Sequence, residues 1–335
     1  MIDYKVILVK DDTITACRGY NLYACDEEFK SVHKIGLLKD TKYFCLSQTR
    51  ASRRLVRAEI TGCYEITPDH LIVVAKKGLF ILMKENDIAV KCFTTPRGSK
   101  PLNICVLPNN HAYFGEYFQN IEKKAVNIYG TLNNGGAWNI VFTFAAGNIN
   151  HIHGLFYDRF TNRIWVSTGD RENECIIGYT DDEFESFNEV FRGGQEYRSC
   201  LLFFYPKFIV FATDSQYIQN EIRCFDRKTL EIKTLAKIQG SAIKGGQSGE
   251  VSFLSTTVEP SEVNKVKNSH VWVTKDGLHW HDVYSAPKDR WPSIFQFGTF
   301  EFPQYKSPIK DKLYCSGRAL KGCDGKTICI DISDI

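Results

Sequence analysis

Two histidines one residue apart, His151 and His153, open an apolar run in GNINHIHGLFYDRF, Gly147 to Phe160. In a strand, residues two apart share a face. Both imidazoles therefore reach the same place, either as ligands to a divalent metal or as an acid/base pair. The next apolar run, Ile164 to Thr168, ends on Gly169-Asp170. Further polar loops between apolar runs supply the carboxylates Glu116, Asp214 and Glu259, the arginines Arg198 and Arg290, and the amides Gln195 and Asn220. Tyr117, Tyr197 and Trp291 lie in the same loops. Converging carboxylates are the requirement of glycoside hydrolysis, one as acid and one as base or nucleophile. Arginine grips a carboxylate or sulfate in bidentate fashion. This set points to an acidic sugar as substrate, with Glu116, His151, His153, Asp170, Asp214 and Glu259 as candidate catalytic groups. Tyr117, Gln195, Tyr197, Arg198, Asn220 and Arg290 are the candidate substrate-binding groups.

Such loops need a scaffold. No helical period of 3.6 stands out, whereas short runs of Val, Ile, Leu, Phe and Tyr recur between Gly, Asn, Asp and Pro. Examples are Leu71 to Ala75, Leu79 to Met83, Trp138 to Phe144, Phe208 to Ala212 and Val251 to Leu254. The pattern predicts an all-β fold. The stretch Ser47 to Ala58, SQTRASRRLVRA, reads as a short basic helix or as a loop feeding a strand.

Composition narrows the function. The chain has 335 residues, 42 basic and 39 acidic, for a net charge of +3. That balance gives no electrostatic footprint for nucleic acid. No run approaches the roughly 20 apolar residues that span a bilayer. The N-terminal MIDYKVILVKDDT lacks the apolar core and cleavage site of a signal peptide, so a cytoplasmic location is expected. The twelve cysteines form no C-x-x-C pair, and most sit in strand-like contexts, as buried thiols do.

A repeat emerges from the turns. TLNNGGAW (131–138), TDDEFESF (180–187) and TKDGLHW (274–280) share a Thr, an Asp or Asn two residues on, and a closing aromatic. The Asp or Asn caps its own turn through side chain to backbone bonds. Weaker copies surround Asp26, Asn86, Asp226 and Asp324. Spacings are close to 48 residues, except about 60 between the first two, which suits four strands per propeller blade. The expectation is a single β-propeller domain over residues 1–335. Seven blades are predicted, or six if Lys39 to Glu59 is an insertion. The strand Thr327 to Ile332 would lie beside Lys5 to Val9 and close the ring.

These turns resemble the Asp-box (BNR repeat) of sialidase-like propellers. Together with GEYFQN, HIHGLFYD, TGDRENE, GGQEYR, TDSQYIQN and STTVEPS, they make the chain similar to Asp-box propellers associated with bacterial surface-polysaccharide gene clusters. The resemblance implies a propeller with a glycan-related role. The sialidase Phe/Tyr-Arg-Ile-Pro motif is missing, and only Arg198 and Arg290 fall on the candidate face where sialidases carry an arginine triad, which argues against sialidase activity proper. Asn148, His151 and His153 also resemble the N-x-x-H-x-H metal-binding run of oligogalacturonate lyases. With strands named A to D within each blade, the candidate residues fall in B–C and D–A loops, on the face opposite the Asp-box C–D turns. Two readings follow. One is a glycosidase or lyase acting on an acidic poly- or oligosaccharide. The other is a non-catalytic propeller that binds a glycan or a protein partner in polysaccharide biosynthesis.

Overall fold

The computed structural model describes all residues, Met1–Ile335. Apart from two short helices, its regular structure is entirely strand. No helix is long and apolar enough to cross a membrane. The chain divides into two compact units. The first comprises Met1–Arg18, Leu22–Lys34 and Cys200–Ile335, and the second comprises Gly19–Asn21 and Ile35–Ser199.

The strands group into successive antiparallel meanders, the blade pattern of a β-propeller. In the second unit three complete sheets run from residue 62 to residue 193. The middle one has strands A to D at Cys105–Val106, Ala112–Gly115, Val126–Thr131 and Asn139–Phe144. The next has His151–Asp158, Arg163–Gly169, Cys175–Thr180 and Asn188–Gly193. The first unit holds the sheets that run over residues 200–237 and 242–287, the opening meander from Lys5, and a three-stranded sheet of Thr299–Glu301, Lys312–Arg318 and Thr327–Asp331. Seven successive meanders result, as expected, even though residues 39–59 are inserted. That insertion folds as two helices, Thr41–Ser47 capped by Asp40 and Arg50–Val56 capped by Thr49, so the basic stretch is helical.

Burial explains why the inner strands read as unbroken apolar runs. Cys175–Thr180 and Val251–Thr256 are covered on both faces, whereas D strands such as Asn188–Gly193 and His281–Pro287 are largely exposed and polar. A sheet packed on both sides has no solvent face to alternate with. In the second unit, Ile128, Phe144, Ile152, Leu155, Val166 and Ile176 interlock in one core layer. In the first, Phe253, Val271, Phe300, Leu313 and Ile330 do the same. Each fully buried aliphatic contributes about 1.5–3 kcal/mol. All twelve cysteines are free thiols, nine of them buried.

The three strong turn motifs are all C–D turns. Asp182 accepts from Thr180 Oγ1 (2.6 Å), Ser186 N (3.0 Å) and Ser186 Oγ (2.6 Å). Asp276 accepts from Leu278 N and His279 N, both at 2.8 Å. Trp138 and Trp280 each donate Nε1 to the carbonyl of the turn glycine at 3.1 Å. At the residue where the other two turns place Gly135 (φ +87°) and Gly277 (φ +80°), the middle turn places Phe184 at φ +80°. Phe184 is buried against Tyr113, so packing offsets the backbone strain.

Two details differ from the sequence expectation. Asp324 lies in the B–C connection of the last sheet, between Lys312–Arg318 and Thr327–Asp331, where it accepts from Ala319 N at 2.7 Å. It caps a turn, but not the repeat turn. The chain ends also meet differently. Ile2, not Lys5 to Val9, pairs with Thr327, while Leu8 and Val9 pair in parallel with Gln304 and Tyr305.

Candidate functional site

In the second unit, two B–C loops and two D–A loops come together. His151 and His153 begin an A strand, and Asp170 follows the B strand of the same sheet. Arg198 and Gln195 come from the D–A loop after Asn188–Gly193, and Tyr117 from the B–C loop after Ala112–Gly115. Local folding fixes this placement. The Gln195 side-chain amide donates to Asp170 O at 2.7 Å, and Ile152 N donates to Glu116 O at 3.0 Å. Gly169 lies flat against the His153 ring, which a Cβ at that position would overlap.

The imidazoles are held in one tautomer. His151 Nδ1 lies 2.9 Å from Phe118 O, and His153 Nδ1 lies 3.0 Å from Ser199 O. A carbonyl only accepts, so each Nδ1 carries the proton and each Nε2 presents a lone pair when the ring is neutral. Asn150 Nδ2 lies 3.1 Å from His151 Nδ1 and 3.0 Å from Asp170 Oδ2, and the carboxylate is the acceptor its geometry serves. The two Nε2 atoms are 3.1 Å apart. Asp170 Oδ1 lies 3.1 Å from His153 Nε2, 3.4 Å from His151 Nε2 and 3.0 Å from Arg198 Nη2. Burial works to raise the Asp170 pKa, but when the rings are protonated the Nε2–H hydrogen bonds and charge of His151 and His153 outweigh it and hold the carboxyl well below its ordinary range. Both histidines are buried, and the Tyr117 ring packs 4.3 Å from that of His151.

This donor set of two imidazole nitrogens and one carboxylate oxygen suits a divalent transition metal. The backbone carbonyls behind each Nδ1 and the Asn150 amide behind Asp170 are the outer-shell partners that orient metal-binding histidines and carboxylates.

Other candidates are engaged elsewhere. The Glu116 carboxylate is buried in a two-point ion pair with Arg97, through Nε at 3.0 Å and through Nη2, and also accepts from Asn127 N at 2.8 Å. Tyr197 stacks on Phe191, with centroids 5.2 Å apart. In the first unit, Asn220 bonds Ser215 N and Ser215 O, each at 2.7 Å, and Asn264 Oδ1 at 2.9 Å, so its amide is saturated. Glu259 accepts from Gln216 Nε2 at 2.6 Å. Asp214 is buried, with Cys200 Sγ 3.4 Å from its Oδ2. Arg290 is exposed, and Trp291 packs edge-on against Phe295.

The sequence reading missed Arg97 and Asn150, and in the first unit a cluster of Lys5, Lys244, Glu301 and Arg318. The overlooked signal was charge inside A strands: Lys5 in KVILVK, Lys244 in AIKGGQS and Glu301 in TFE.

No protein-family model matches the chain, and no curated protein does. Solved structures do. A chain of a mitotic checkpoint complex aligns with TM-score 0.59 at 9% identity, covering 99% of this chain and 88% of that one. An ancestral GH74 enzyme aligns with TM-score 0.56 at 9% identity over 93% of this chain, which spans only 44% of that enzyme's length. A structure assigned to TolB from Agrobacterium tumefaciens aligns with TM-score 0.52 at 11% identity, covering 80% and 89%. At these identities the likeness carries the fold alone. That fold is the all-β propeller of four-stranded blades.

Proposed function

We propose that the protein acts on an acidic poly- or oligosaccharide at the His151–His153–Asp170–Arg198 site, with a divalent cation held by His151, His153 and Asp170. The supporting observation is the convergence of two Nε2 lone pairs on one carboxylate oxygen, with both Nδ1 protons committed to backbone carbonyls. Such a cation would neutralise the carboxylate of a uronic acid. Arg198 fixes Asp170 and adds positive charge beside it.

β-Elimination suits the site better than hydrolysis. Hydrolysis needs two carboxyl groups free to trade a proton across the sugar. In this unit Glu116 is committed to Arg97, and Glu174 to Lys123. In elimination a base removes the C5 proton, the C4–C5 double bond forms, and the glycosidic oxygen at C4 leaves with its electron pair and takes a proton from solvent to become a hydroxyl. We assign the base to Tyr117, which is half-buried beside His151. The test is the ultraviolet absorbance of the new double bond when the protein meets polyuronates. New reducing ends without that absorbance would point to a hydrolase. Binding without either product would favour a non-catalytic glycan-binding propeller.

A further inference from the structure

The first unit contains a second charged cluster that the proposed reaction does not use. Glu301 is buried, and both its oxygens are occupied: Oε2 by Lys5 Nζ at 2.5 Å and Oε1 by Arg318 Nη1 at 2.9 Å. Lys244, on the A strand Ala242–Ser248, interacts electrostatically with Glu301, Arg318, Lys5 and Cys200. Two cations thus grip one carboxylate and a third lies within electrostatic range of it, an excess of two positive charges. Two of the donors lack acceptors. Arg318 Nε is buried without a hydrogen-bond partner, and the Lys244 ammonium joins no ion pair or hydrogen bond. A buried donor without a partner is costly, because the water it loses is not replaced, and Lys244 beside it is half-buried. Loss of solvation is the largest influence on Lys244 and pushes its pKa down to about 8, with Arg318 and Lys5 acting in the same direction against Glu301 and Cys200.

We propose that Lys5, Lys244 and Arg318, arranged about Glu301, form a binding site for a small dianionic oxyanion, inorganic sulfate or a phosphate. Two negative charges match the excess of two positive. The planar edge of Arg318 and the point charge of Lys244 offer the complementary donors that tetrahedral oxyanions take. The source is a free ion or a phosphate monoester on a sugar, and the ligand series below separates the two. The site stands apart from the lyase proposal, because its test reads anion binding alone.

The bound anion would hold Lys244 protonated, so binding at pH 8 draws protons from the buffer. The experiment is calorimetric titration of the full-length chain at pH 8 with inorganic sulfate, inorganic phosphate, a sugar phosphate and, as the monoanionic control, acetate. Each is run in two buffers of different ionisation enthalpy. Saturable binding of the dianions with net proton uptake is expected, weakened at least 10-fold in Lys244→Met. Tighter binding of the sugar phosphate than of inorganic phosphate would assign an ester ligand, and the reverse would assign the free ion. Circular dichroism checks that the variant folds. If Lys244→Met does not fold, Lys244→Arg decides. It should bind sulfate without proton uptake, and unchanged uptake would refute the assignment. Absence of saturable dianion binding by the wild-type chain, or equal affinity in a folded Lys244→Met variant, would overturn the proposal.

Discussion

The Nε2 atoms of His151 and His153 lie 3.1 Å apart, each on a ring whose Nδ1 proton is donated to a backbone carbonyl. Two facing lone pairs repel unless a proton or a cation lies between them, and Asp170 Oδ1 adds negative charge at the same point. The chain should therefore bind one equivalent of a divalent transition metal by calorimetry after chelator treatment. Replacing His153 by Ala should abolish that binding. Replacing Asn150 by Ala, which removes the donor to Asp170 Oδ2, should weaken it about 10- to 100-fold, the usual effect of losing an outer-shell partner.

Glu116 and Arg97 are structural partners in this account. Arg97→Ala strands a carboxylate that is almost fully buried. Breaking such a pair typically costs about 3–5 kcal/mol, and urea unfolding should show a loss of that order. A Glu116→Gln variant that keeps wild-type stability but loses all activity on polyuronates would return Glu116 to the catalytic groups.

Gly169 is fixed by the ring it touches. A methyl group there would overlap His153, so Gly169→Ala must displace the ring or the strand. Overpacking of this kind costs about 1–3 kcal/mol. Metal affinity should fall more sharply than thermal stability, because the displaced atom is the ligand itself.

The Asp-box turn carries an acid-side signature. Hydrogen bonds from Ser186 and Thr180 lower the Asp182 pKa from its ordinary value to about 2. A carboxyl whose folded pKa is depressed contributes stability above its unfolded pKa and loses it as pH falls toward the folded value. The Tm difference between wild type and Asp182→Asn should stay constant above about pH 5 and shrink between about pH 4 and pH 2. A difference that does not change over that range would contradict the assignment.

The blade repeat was readable because its cause is local. Thr180 with Asp182 and Thr274 with Asp276 bond two residues apart, so the signal sits inside one short window. The same locality misplaced Asp324, since any tight turn can use an Asp cap in this way. His151 and His153 were readable as neighbours on one strand, and blade phasing placed Asp170, Gln195 and Arg198 in loops on the same side. What each side chain does there depends on distant partners. Glu116 and Arg97 are 19 residues apart, Asn220 and Asn264 are 44 apart, and Lys5 and Glu301 are 296 apart. No short-range pattern announces such pairs.

The central claim is most directly tested by incubating the metal-loaded chain with oligogalacturonate, oligoglucuronate and alginate, and following the absorbance of the C4–C5 double bond. The account predicts unsaturated product from at least one uronate, loss of at least ~100-fold in rate for His153→Ala, and loss after chelation with recovery when metal is restored. Wild-type turnover that survives both chelation and His153→Ala, or saturated reducing ends as the sole product, would contradict it.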